Sequence, residues 1–480
     1  MRTAHSAAVQ PASFDAALLR RHDRSGPRYT SYPTASQFHA GFGAARLREC
    51  AARSNAQPGR RPLSLYVHVP FCLSPCFYCG CNRVITRDAQ RGVHYVEELL
   101  REAALLSALV NPEREVVQLH LGGGTPNFLP VAALERLMAG LGRAFRLCTS
   151  PGRDFSIELD PRSVPTDYAP ALAALGFNRV SLGVQDFDPN VQRAVNRVQS
   201  VDETLDLIDA CRDHGIRSVN VDLIYGLPQQ TPERFRHTLR MVISARPDRL
   251  AVYGYAHLPG MFKAQRQIAD AELPGAEMRL ELLRLAIDEL TACGYCYIGM
   301  DHFALPEDEL VGAQESGRLQ RNFMGYTTHA GCDLLGIGAS AISHVGDSFS
   351  QNYRDLKSWR AAIETGNLPL WRGLSMSRDD LVRGAVITQL MCQGRVDLAD
   401  IEARYGVDFR AYFQEALERL QPLVADGLLV IEPAALTVTP GGRFLLRSIA
   451  MCFDAYLAAP AAAPPAGCSS RLTSSRLPPA

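Results

Sequence analysis

One pattern limits the folds open to this chain: a strand rich in β-branched residues followed by an amphipathic helix, repeated six times between residues 63 and 293. Each repeat implies a right-handed βαβ unit, and successive units lay their strands side by side in one parallel sheet. The predicted strands span 63–69, 116–121, 155–159, 178–184, 218–224 and 249–255. The chain is therefore predicted to be an α/β protein, built on a partial (β/α)6 barrel with parallel strands.

The first of these strands runs directly into four cysteines. Cys72, Cys76 and Cys79 have the spacing C-x3-C-x2-C, and Cys81 follows. A loop this short can place three thiolates around one metal centre. A structural zinc ion normally takes four ligands in two separated pairs, whereas a [4Fe-4S] cluster can be held by three cysteines that leave one iron open. On the residues alone, both readings stay open.

Further polar or glycine-rich residues follow the other strands, where parallel sheets and barrels carry their functional groups. Taken singly, each is more often a surface or capping group, and the run Gly122-Gly-Gly-Thr-Pro126 also fits a plain strand-to-helix turn. Their shared position predicts that they meet at one mouth of the barrel. These strand-end residues are Gly123, Gly124, Thr125, Glu158, Gln185, Arg197, Asp222 and Ala256.

The chain divides into five predicted units. They are an N-terminal arm (1–60), the barrel (61–300), a connecting and substrate-proximal region (301–375), a small, mostly helical, winged-helix-like C-terminal domain (376–456) and a disordered Ala/Pro/Ser-rich tail (457–480). A winged helix can bind DNA, but 50 Lys and Arg balance 50 Asp and Glu. Without a basic excess we expect no nucleic-acid partner, and we interpret the domain as a lid.

Cysteine usage and the N-terminus indicate the compartment. Thirteen cysteines, an odd number with four crowded together, favour metal or redox chemistry in a reducing cytoplasm over a disulfide scaffold. No signal peptide or membrane span is evident, although the Arg-, Ala- and Ser-containing start leaves an organellar presequence open. We expect a cytoplasmic protein without a membrane span.

The C-x3-C-x2-C motif, with the aromatic Tyr78 just before its third cysteine, resembles that of the radical S-adenosylmethionine superfamily. The resemblance implies one [4Fe-4S] cluster bound by Cys72, Cys76 and Cys79. Its open iron would bind S-adenosylmethionine, and an electron from the cluster would cleave that molecule to methionine and a 5′-deoxyadenosyl radical.

Longer segments narrow the resemblance. Six segments are similar to those of the oxygen-independent coproporphyrinogen III oxidases, and the similarity as a whole covers about residues 25–455. The six segments are residues 26–35, 66–72, 79–82, 183–187, 298–304 and 321–328. The similarity implies oxidative decarboxylation of two propionates of coproporphyrinogen III to vinyl groups, giving protoporphyrinogen IX in haem biosynthesis. Cys81 would be a catalytic residue that binds no iron.

The same resemblance implies that two S-adenosylmethionine molecules bind. Their predicted contacts are Tyr66, Tyr78, Gly123, Gly124, Thr125, Glu158, Gln185, Arg197, Asp222, Ala256 and Ile342. Arg28, Arg83 and Arg321, which lie in family-like segments, are candidates to hold the four carboxylates of the substrate. The electron donor and acceptor stay unidentified, and the oligomeric state stays open, with a monomer among the alternatives.

One alternative keeps the fold and the motif. Haem chaperones related to this family bind haem instead of acting as oxidases. They generally lack a cysteine at the position of Cys81 and the segment Arg28-Tyr-Thr-Ser-Tyr-Pro33. Both features are present here, and they favour the enzyme.

Overall fold

The computed structural model describes residues 13–59 and 61–457. The first twelve residues of the predicted arm, and all but the first residue of the predicted tail at 457–480, lie outside the described residues. In the described ranges, no helix is long and apolar enough to cross a membrane.

The described residues form short and long strands from residue 63 onward. In chain order they are β1 (Leu63–Val69), β2 (Phe71–Cys72), β3 (Val84–Ile85), β4 (Glu115–Gly123), β5 (Arg146–Leu147), β6 (Asp154–Leu159), β7 (Arg179–Gln185), β8 (Ser218–Tyr225), β9 (Arg249–Gly254), β10 (Cys296–Gly299), β11 (His302–Ala304), β12 (Gln320–Asn322), β13 (Gly325–Thr327), β14 (Asp333–Ile337), β15 (Ile342–Val345), β16 (Ser348–Asn352), β17 (Leu370–Ser375), β18 (Arg395–Asp397), β19 (Leu429–Ile431) and β20 (Ala435–Val438).

Helices connect most of these strands. They are α1 (Ala16–His22), α2 (Ala44–Asn55), α3 (Ala89–Ser107), α4 (Val131–Ala144), α5 (Tyr168–Ala174), α6 (Pro189–Ala194), α7 (Val201–Asp213), α8 (Pro232–Ser244), α9 (Ala276–Ala292), α10 (Glu309–Glu315), α11 (Leu356–Glu364), α12 (Arg378–Gln393), α13 (Leu398–Tyr405), α14 (Phe409–Tyr412), α15 (Gln414–Ala425) and α16 (Leu446–Ala450).

Local sequence explains where several helices begin. The Ser200 hydroxyl accepts from the Glu203 backbone N–H at the start of α7, and Thr231 caps α8 in the same way. Pro232 follows as the first residue of α8, where a missing N–H costs nothing. At α12, Ser377 and Asp380 form a reciprocal capping box. The boundaries of these helices therefore follow from residues that satisfy the free N–H groups of a first turn.

The six predicted strands form the centre of one large sheet. β1, β4, β6, β7, β8 and β9 are parallel neighbours in this order, which confirms the predicted fold class. A further parallel strand, β14, pairs with the other side of β1. β14 has no helix of its own before the next strand, so the strand-helix alternation does not reveal it.

The region predicted to connect the two domains also extends this sheet. β15, β16 and β17 continue it in antiparallel fashion beyond β14, and β11 and β10 do the same beyond β9. Residues 301–375 therefore contribute five strands to the sheet, in addition to the β12–β13 hairpin.

The two faces of the parallel strands differ in polarity. Alternate residues such as Leu65, Leu119 and Ile157 are fully buried in the core against the helices. The residues between them carry polar groups on the inner face, where His120 Nδ1 lies 2.8 Å from the Ser156 hydroxyl. The fold thus presents a polar surface inside the barrel.

The C-terminal domain packs against both the barrel and the N-terminal arm. It contains α12 to α16 and a three-stranded sheet with the order β18, β20, β19. Its core includes Tyr29 and Tyr32 of the arm. The Tyr29 hydroxyl donates to Asp454 at 2.8 Å, and the Tyr32 hydroxyl accepts from the Ala455 N–H at 3.0 Å. The arm is therefore part of the contact between the domains.

A buried glutamate attaches the additional strands to the barrel. Glu102 of α3 accepts hydrogen bonds from the Gly338 N–H at 2.7 Å, the Asn352 amide at 2.6 Å and the Trp359 indole at 3.0 Å. Its side chain is fully buried, and burial raises the pKa of Glu102 to about 7. One carboxyl group therefore holds three donors from the segment after β14.

We expect Glu102→Ala to lower the free energy of unfolding by about 3 to 5 kcal/mol, because three buried donors lose their acceptor. Urea denaturation followed by circular dichroism measures this change. Arg101→Ala, at the neighbouring exposed position of α3, is the matched control and should change the stability by less than about 0.5 kcal/mol. Equal stability of the two variants would contradict this account of the Glu102 contacts.

Candidate active site

The four clustered cysteines lie between β1 and α3, at the carboxyl end of the first barrel strand. Cys72 and Cys76 are buried, Cys79 is half-buried and Cys81 is exposed. All four are free thiols. The backbone N–H of Cys81 donates to the Cys79 sulfur at 3.4 Å. The fourth cysteine is therefore a direct neighbour of the third.

Segments that follow other strands hold the loop in shape. The Asn196 amide donates to the Pro75 carbonyl at 2.7 Å, and the Gln265 amide donates to the Tyr78 carbonyl at 2.9 Å. Gln265 also donates to the Ala256 carbonyl at 3.1 Å. This one side chain thus links two predicted S-adenosylmethionine contacts, Tyr78 and Ala256.

Arg83 holds the same loop from its own end. Its guanidinium donates to the Cys79 carbonyl at 2.9 Å and to the Cys76 carbonyl at 3.4 Å. In this structure Arg83 is therefore directed at backbone carbonyls of the cysteine loop, and the two other candidates for the substrate carboxylates lie elsewhere.

Each of the three predicted ligand sulfurs accepts a hydrogen bond. The Thr125 hydroxyl donates to Cys72 Sγ at 3.4 Å, and the Arg197 guanidinium donates to Cys76 Sγ at 3.5 Å. Cys79 Sγ accepts from the backbone as described above. Donors of this kind tune the reduction potential of thiolate-bound clusters, so the surroundings of these sulfurs suit a redox centre.

The cysteine geometry can be compared with that of a mononuclear site. In the part of the chain that the structure describes, no three Cys, His, Asp or Glu side chains are grouped as ligands of a single metal ion. A [4Fe-4S] cube does not require such convergence, since each of its ligands binds a different iron. The donor set therefore fits the cluster better than it fits a single zinc ion.

The surroundings of the thiols also change their pKa values. Burial raises the pKa of Cys72 to about 11, whereas contact with Cys81 lowers the pKa of Cys79 to about 6.

The glycine run at the carboxyl end of β4 packs against the start of the cysteine loop. A Cβ atom on Gly124 would lie 2.7 Å from the carbonyl of Pro70, which is closer than carbon atoms approach. Gly123 has φ of 118°, a conformation that favours glycine. Its N–H donates to Glu158 at 3.2 Å. These glycines therefore allow the β4 turn to pack against the start of the loop.

Arg197 is fixed by a carboxylate that sequence reasoning did not select. The Arg197 guanidinium contacts Asp160 at 3.2 Å and also donates to the Gly183 carbonyl. Although burial alone raises the pKa of Asp160, hydrogen bonds from Arg162 and the charge of Arg197 hold the pKa of this carboxyl below its usual value. Asp160 directly follows β6, and this strand-end position was its only sequence signal.

Gln185 lies beside Arg197 in an unusual backbone conformation. Its φ is 70°, and the pairing of β7 with β8 shifts register between Gly183 and Gln185. A Cβ atom on Gly183 would meet both the Gln185 amide and the Arg197 guanidinium at about 3 Å. Strained residues of this kind are concentrated at functional sites. The two predicted contacts are thus brought together at the end of β7.

Three more predicted residues line the polar inner face. Glu158 lies 3.1 Å from His120 Nε2, and the Tyr66 ring stacks on that imidazole with 5.9 Å between centroids. Asp222 accepts from Asn220 at 2.9 Å, and burial raises the pKa of Asp222 to about 6. His120 therefore contacts both Tyr66 and Glu158. The sequence did not predict this role, because a single histidine near a strand end is not a specific signal.

Ile342 is connected to this group less directly. It begins β15, and its backbone closely faces Gly336 of β14, which pairs with Tyr66 of β1. Ile342 therefore lies on the opposite side of β1 from Glu158 and Asp222. The predicted contacts thus extend from β15 to the segment after β9.

Arg28 and Arg321 lie near the inner face at β9. Arg28 donates to Asp301 at 2.5 Å and lies over the Tyr253 ring, 5.1 Å from its centroid. Arg321 lies over the Tyr326 ring at 4.6 Å, and its buried Nε and Nη1 atoms have no hydrogen-bond partner among the described residues. Arg321 also lines a cavity of about 950 Å³ against the C-terminal domain.

Two family models match the chain. Residues 66–242 match the radical SAM superfamily, and residues 376–445 match the HemN C-terminal domain. The first match contains the three cysteines and most of the barrel, and the second lies in the predicted lid.

Curated proteins match over nearly the full length. The oxygen-independent coproporphyrinogen III oxidase of Pseudomonas aeruginosa is 50% identical to this chain, and the alignment covers 92% of this chain and 96% of that protein. The enzyme of the same name from Escherichia coli is 47% identical, and the alignment covers 94% of this chain and 97% of that protein. The enzyme of Helicobacter pylori is 40% identical and covers 93% of this chain and 97% of that protein. The solved structure of coproporphyrinogen III oxidase (HemN) from Escherichia coli, described as a radical SAM enzyme, superimposes with a TM-score of 0.89 at 46% identity, over 93% of this chain and all of that one.

We expect Gly124→Ala to reduce the iron bound after anaerobic reconstitution by about half or more, because the new methyl group displaces the Pro70 carbonyl at the start of the loop. Iron analysis and absorbance near 400 nm measure the loss. Gly142→Ala in α4 is the matched control, since its Cβ atom meets only Leu147 at 3.7 Å. Full iron loading of Gly124→Ala would show that this close contact does not position the loop.

Proposed function

Because the chain belongs to the family of oxygen-independent coproporphyrinogen III oxidases, we propose that it makes protoporphyrinogen IX by oxidative decarboxylation of two propionate side chains of coproporphyrinogen III. It is a radical SAM oxidoreductase of haem biosynthesis. The observation that carries the proposal is the position of Cys81, whose backbone N–H donates to the sulfur of Cys79, the third cysteine of the C-x3-C-x2-C motif. The related haem chaperones generally lack this cysteine.

A [4Fe-4S] cluster and S-adenosylmethionine belong to the radical SAM family. We assign the cluster three ligands, Cys72, Cys76 and Cys79, and we propose two S-adenosylmethionine molecules. When bound, these cofactors would supply a 5′-deoxyadenosyl radical that can take a hydrogen atom from the propionate β-carbon. Loss of carbon dioxide, and transfer of one electron to an acceptor that is not yet identified, would complete each vinyl group.

The residues of this chain would keep the cofactors in place and tune them. Thr125 and Arg197 donate to two of the ligand sulfurs, and such donors stabilise the more reduced, more negative state of a thiolate cluster. Asp160 holds Arg197 in this position, because its two carboxylate oxygens accept hydrogen bonds from both Nη atoms of the guanidinium. Hydrogen bonds to Cys76 and Cys72 would therefore favour reduction of a cluster that these thiolates bind.

The inner face supplies hydrogen-bonding groups for S-adenosylmethionine. Glu158 and Asp222 present carboxylates that can accept from ammonium or hydroxyl groups, and Gln185 presents an amide. The turn at Gly123 and Gly124 has no side chains, so a ligand can approach its backbone closely. Tyr66, Tyr78, Ala256 and Ile342 complete the proposed contacts.

The substrate carries four carboxylates and needs cations nearby. We assign Arg28 and Arg321 to this role, since both lie at the inner face near β9, and Arg321 has buried N–H groups without a partner in the described residues. An arginine fork suits a carboxylate better than an ammonium does. A protein of this class with 13 cysteines works in a reducing compartment, for which we propose the cytoplasm.

The deciding assay follows coproporphyrinogen III under anaerobic conditions with reconstituted protein, S-adenosylmethionine and a chemical reductant. We expect protoporphyrinogen IX, carbon dioxide and 5′-deoxyadenosine to form together. Stoichiometric haem binding with unchanged coproporphyrinogen would instead identify a chaperone. A reconstituted protein without iron-sulfur absorbance would support the zinc reading.

Two cysteine substitutions separate the proposed roles. Cys72→Ser should abolish the visible absorbance of the cluster, because serine replaces an iron ligand. Cys81→Ser should keep that absorbance and the iron content but lose decarboxylation. Absorbance spectra, iron analysis and product chromatography on both variants test the assignment. Loss of the cluster from Cys81→Ser would mean that Cys81 is a ligand.

A further inference from the structure

The segment that follows β9 packs on the second half of the cysteine loop. We refer to residues 258–268 as the clamp segment, and they include a short 3-10 helix at Lys263–Gln267. A Cβ atom on Gly80 would lie 2.9 Å from the Phe262 ring, which is closer than carbon atoms normally approach. Because Gly80 has no side chain, the ring can lie directly on the loop backbone.

Apolar packing joins the clamp segment to the loop at a second point. Ile268 is buried in a cluster with Tyr255, and the loop residues Phe77 and Tyr78 pack against the same cluster. Apolar contacts are not directional, so they hold the two segments together without fixing their relative position. Fixing that position requires groups with defined hydrogen-bond directions.

Gln265 of the clamp segment supplies such a group. Its side chain is buried, with 2% of its surface exposed. The amide nitrogen donates to the Tyr78 carbonyl at 2.9 Å and to the Ala256 carbonyl at 3.1 Å, and the amide oxygen accepts from the Leu258 N–H at 2.5 Å. An amide carries two N–H donors and an acceptor on one rigid plane. The three hydrogen bonds therefore fix Tyr78 and Ala256 relative to each other.

The two carbonyls belong to residues that we propose as S-adenosylmethionine contacts. Tyr78 lies in the cysteine loop between Cys76 and Cys79, two of the proposed cluster ligands, whereas Ala256 lies after β9. Gln265 therefore connects the part of the site that would hold the cluster with a part that would hold the cofactor. A substitution of Gln265 alters this connection without removing a proposed ligand or contact.

The Ala256 end of this connection is fixed independently of the clamp segment. The neighbouring Tyr255 N–H donates to the Tyr225 carbonyl at 2.9 Å, which continues the pairing of β8 with β9. The Tyr255 carbonyl accepts from the Arg279 guanidinium at 2.6 Å. The residues after β9 are thus held by the sheet and by α9, and Gln265 holds the cysteine loop against them.

We propose that Gln265 is a positioning residue for S-adenosylmethionine. It sets the position of the cysteine loop relative to the residues after β9, and thereby the position of the cluster relative to the other contacts of the cofactor. The inference rests on the proposed function, which assigns S-adenosylmethionine to Tyr78 and Ala256. Without the two N–H donors of Gln265, both carbonyls lose their partner and the loop can move relative to the strand end.

The test uses three variants of the full-length protein, each reconstituted anaerobically. Gln265→Glu keeps the size of the side chain but sets a carboxylate oxygen against the two carbonyls. Gln265→Met keeps the length of the side chain and removes its hydrogen bonds without adding charge. Gln267→Glu, at an exposed position of the same 3-10 helix, adds the same charge and is the matched control.

Electron paramagnetic resonance of the dithionite-reduced cluster is recorded during titration with S-adenosylmethionine. The change in the spectrum reports binding at the cluster, and it reports only protein that carries a cluster. Iron analysis and thermal unfolding of the same samples measure cluster content and stability separately. These readouts require no turnover.

We expect the dissociation constant of S-adenosylmethionine to rise by about tenfold in Gln265→Glu and by about threefold in Gln265→Met, because the first variant adds repulsion to the loss of two hydrogen bonds. The spectrum of the saturated Gln265→Glu complex should also differ from that of the wild type. Both variants should keep most of their iron, since Arg83 and Asn196 still hold the loop. Gln267→Glu should match the wild type in every measurement.

A wild-type dissociation constant and a wild-type spectrum in both Gln265 variants would overturn the proposal, even if these variants unfold at a lower temperature. Gln265 would then only stabilise the fold. Complete loss of the cluster from both variants would also overturn it, because Gln265 would then hold the ligands themselves. A wild-type protein that binds S-adenosylmethionine normally but leaves coproporphyrinogen III unchanged would count against the proposed function, and the titration would still test the role of Gln265.

Discussion

The structure depends on how the loop after β1 is held. The regular structure of this loop is limited to the paired two-residue strands β2 and β3 at its two ends, so its own backbone cannot hold three sulfurs in place. Its carbonyls instead accept hydrogen bonds from Arg83, Asn196 and Gln265. Two of these donors follow different barrel strands, so the loop keeps its shape only when the parallel sheet has formed. A cluster site assembled in this way makes metal binding and barrel folding mutually supportive.

The inner face of the barrel follows the same logic. Strands with apolar residues on one face and polar residues on the other bury the first against helices and leave the second for ligands. Tyr66, Glu158 and Asp222 occupy such inner positions, and His120 connects two of them. Asp222 is half-buried, and burial raises its pKa to about 6. Charged groups in such a place interact with a ligand more strongly than they would on the surface.

Prediction from the sequence succeeded where chemistry and spacing are local. The strand-helix alternation and the C-x3-C-x2-C motif require only neighbouring residues, and they indicated the α/β fold and the thiol cluster. Prediction was incomplete where partners are distant in the chain. β14 lacks a helix of its own, Asp160 meets Arg197 across 37 residues, and Gln265 reaches Tyr78 across 187 residues. The carbonyl partners of Arg83, a candidate for the substrate carboxylates, could not be foreseen either.

The sequence by itself determined the class of fold, the thiol donor set and the family, because strand periodicity, cysteine spacing and long family-like segments are all visible along one dimension. The tertiary structure decided which side chains share a surface. It placed Arg83 on the cysteine loop and joined Arg197 to Asp160. The physical reason is that hydrogen bonds and apolar contacts depend on distance in space, and parallel strands bring together residues that the chain separates widely.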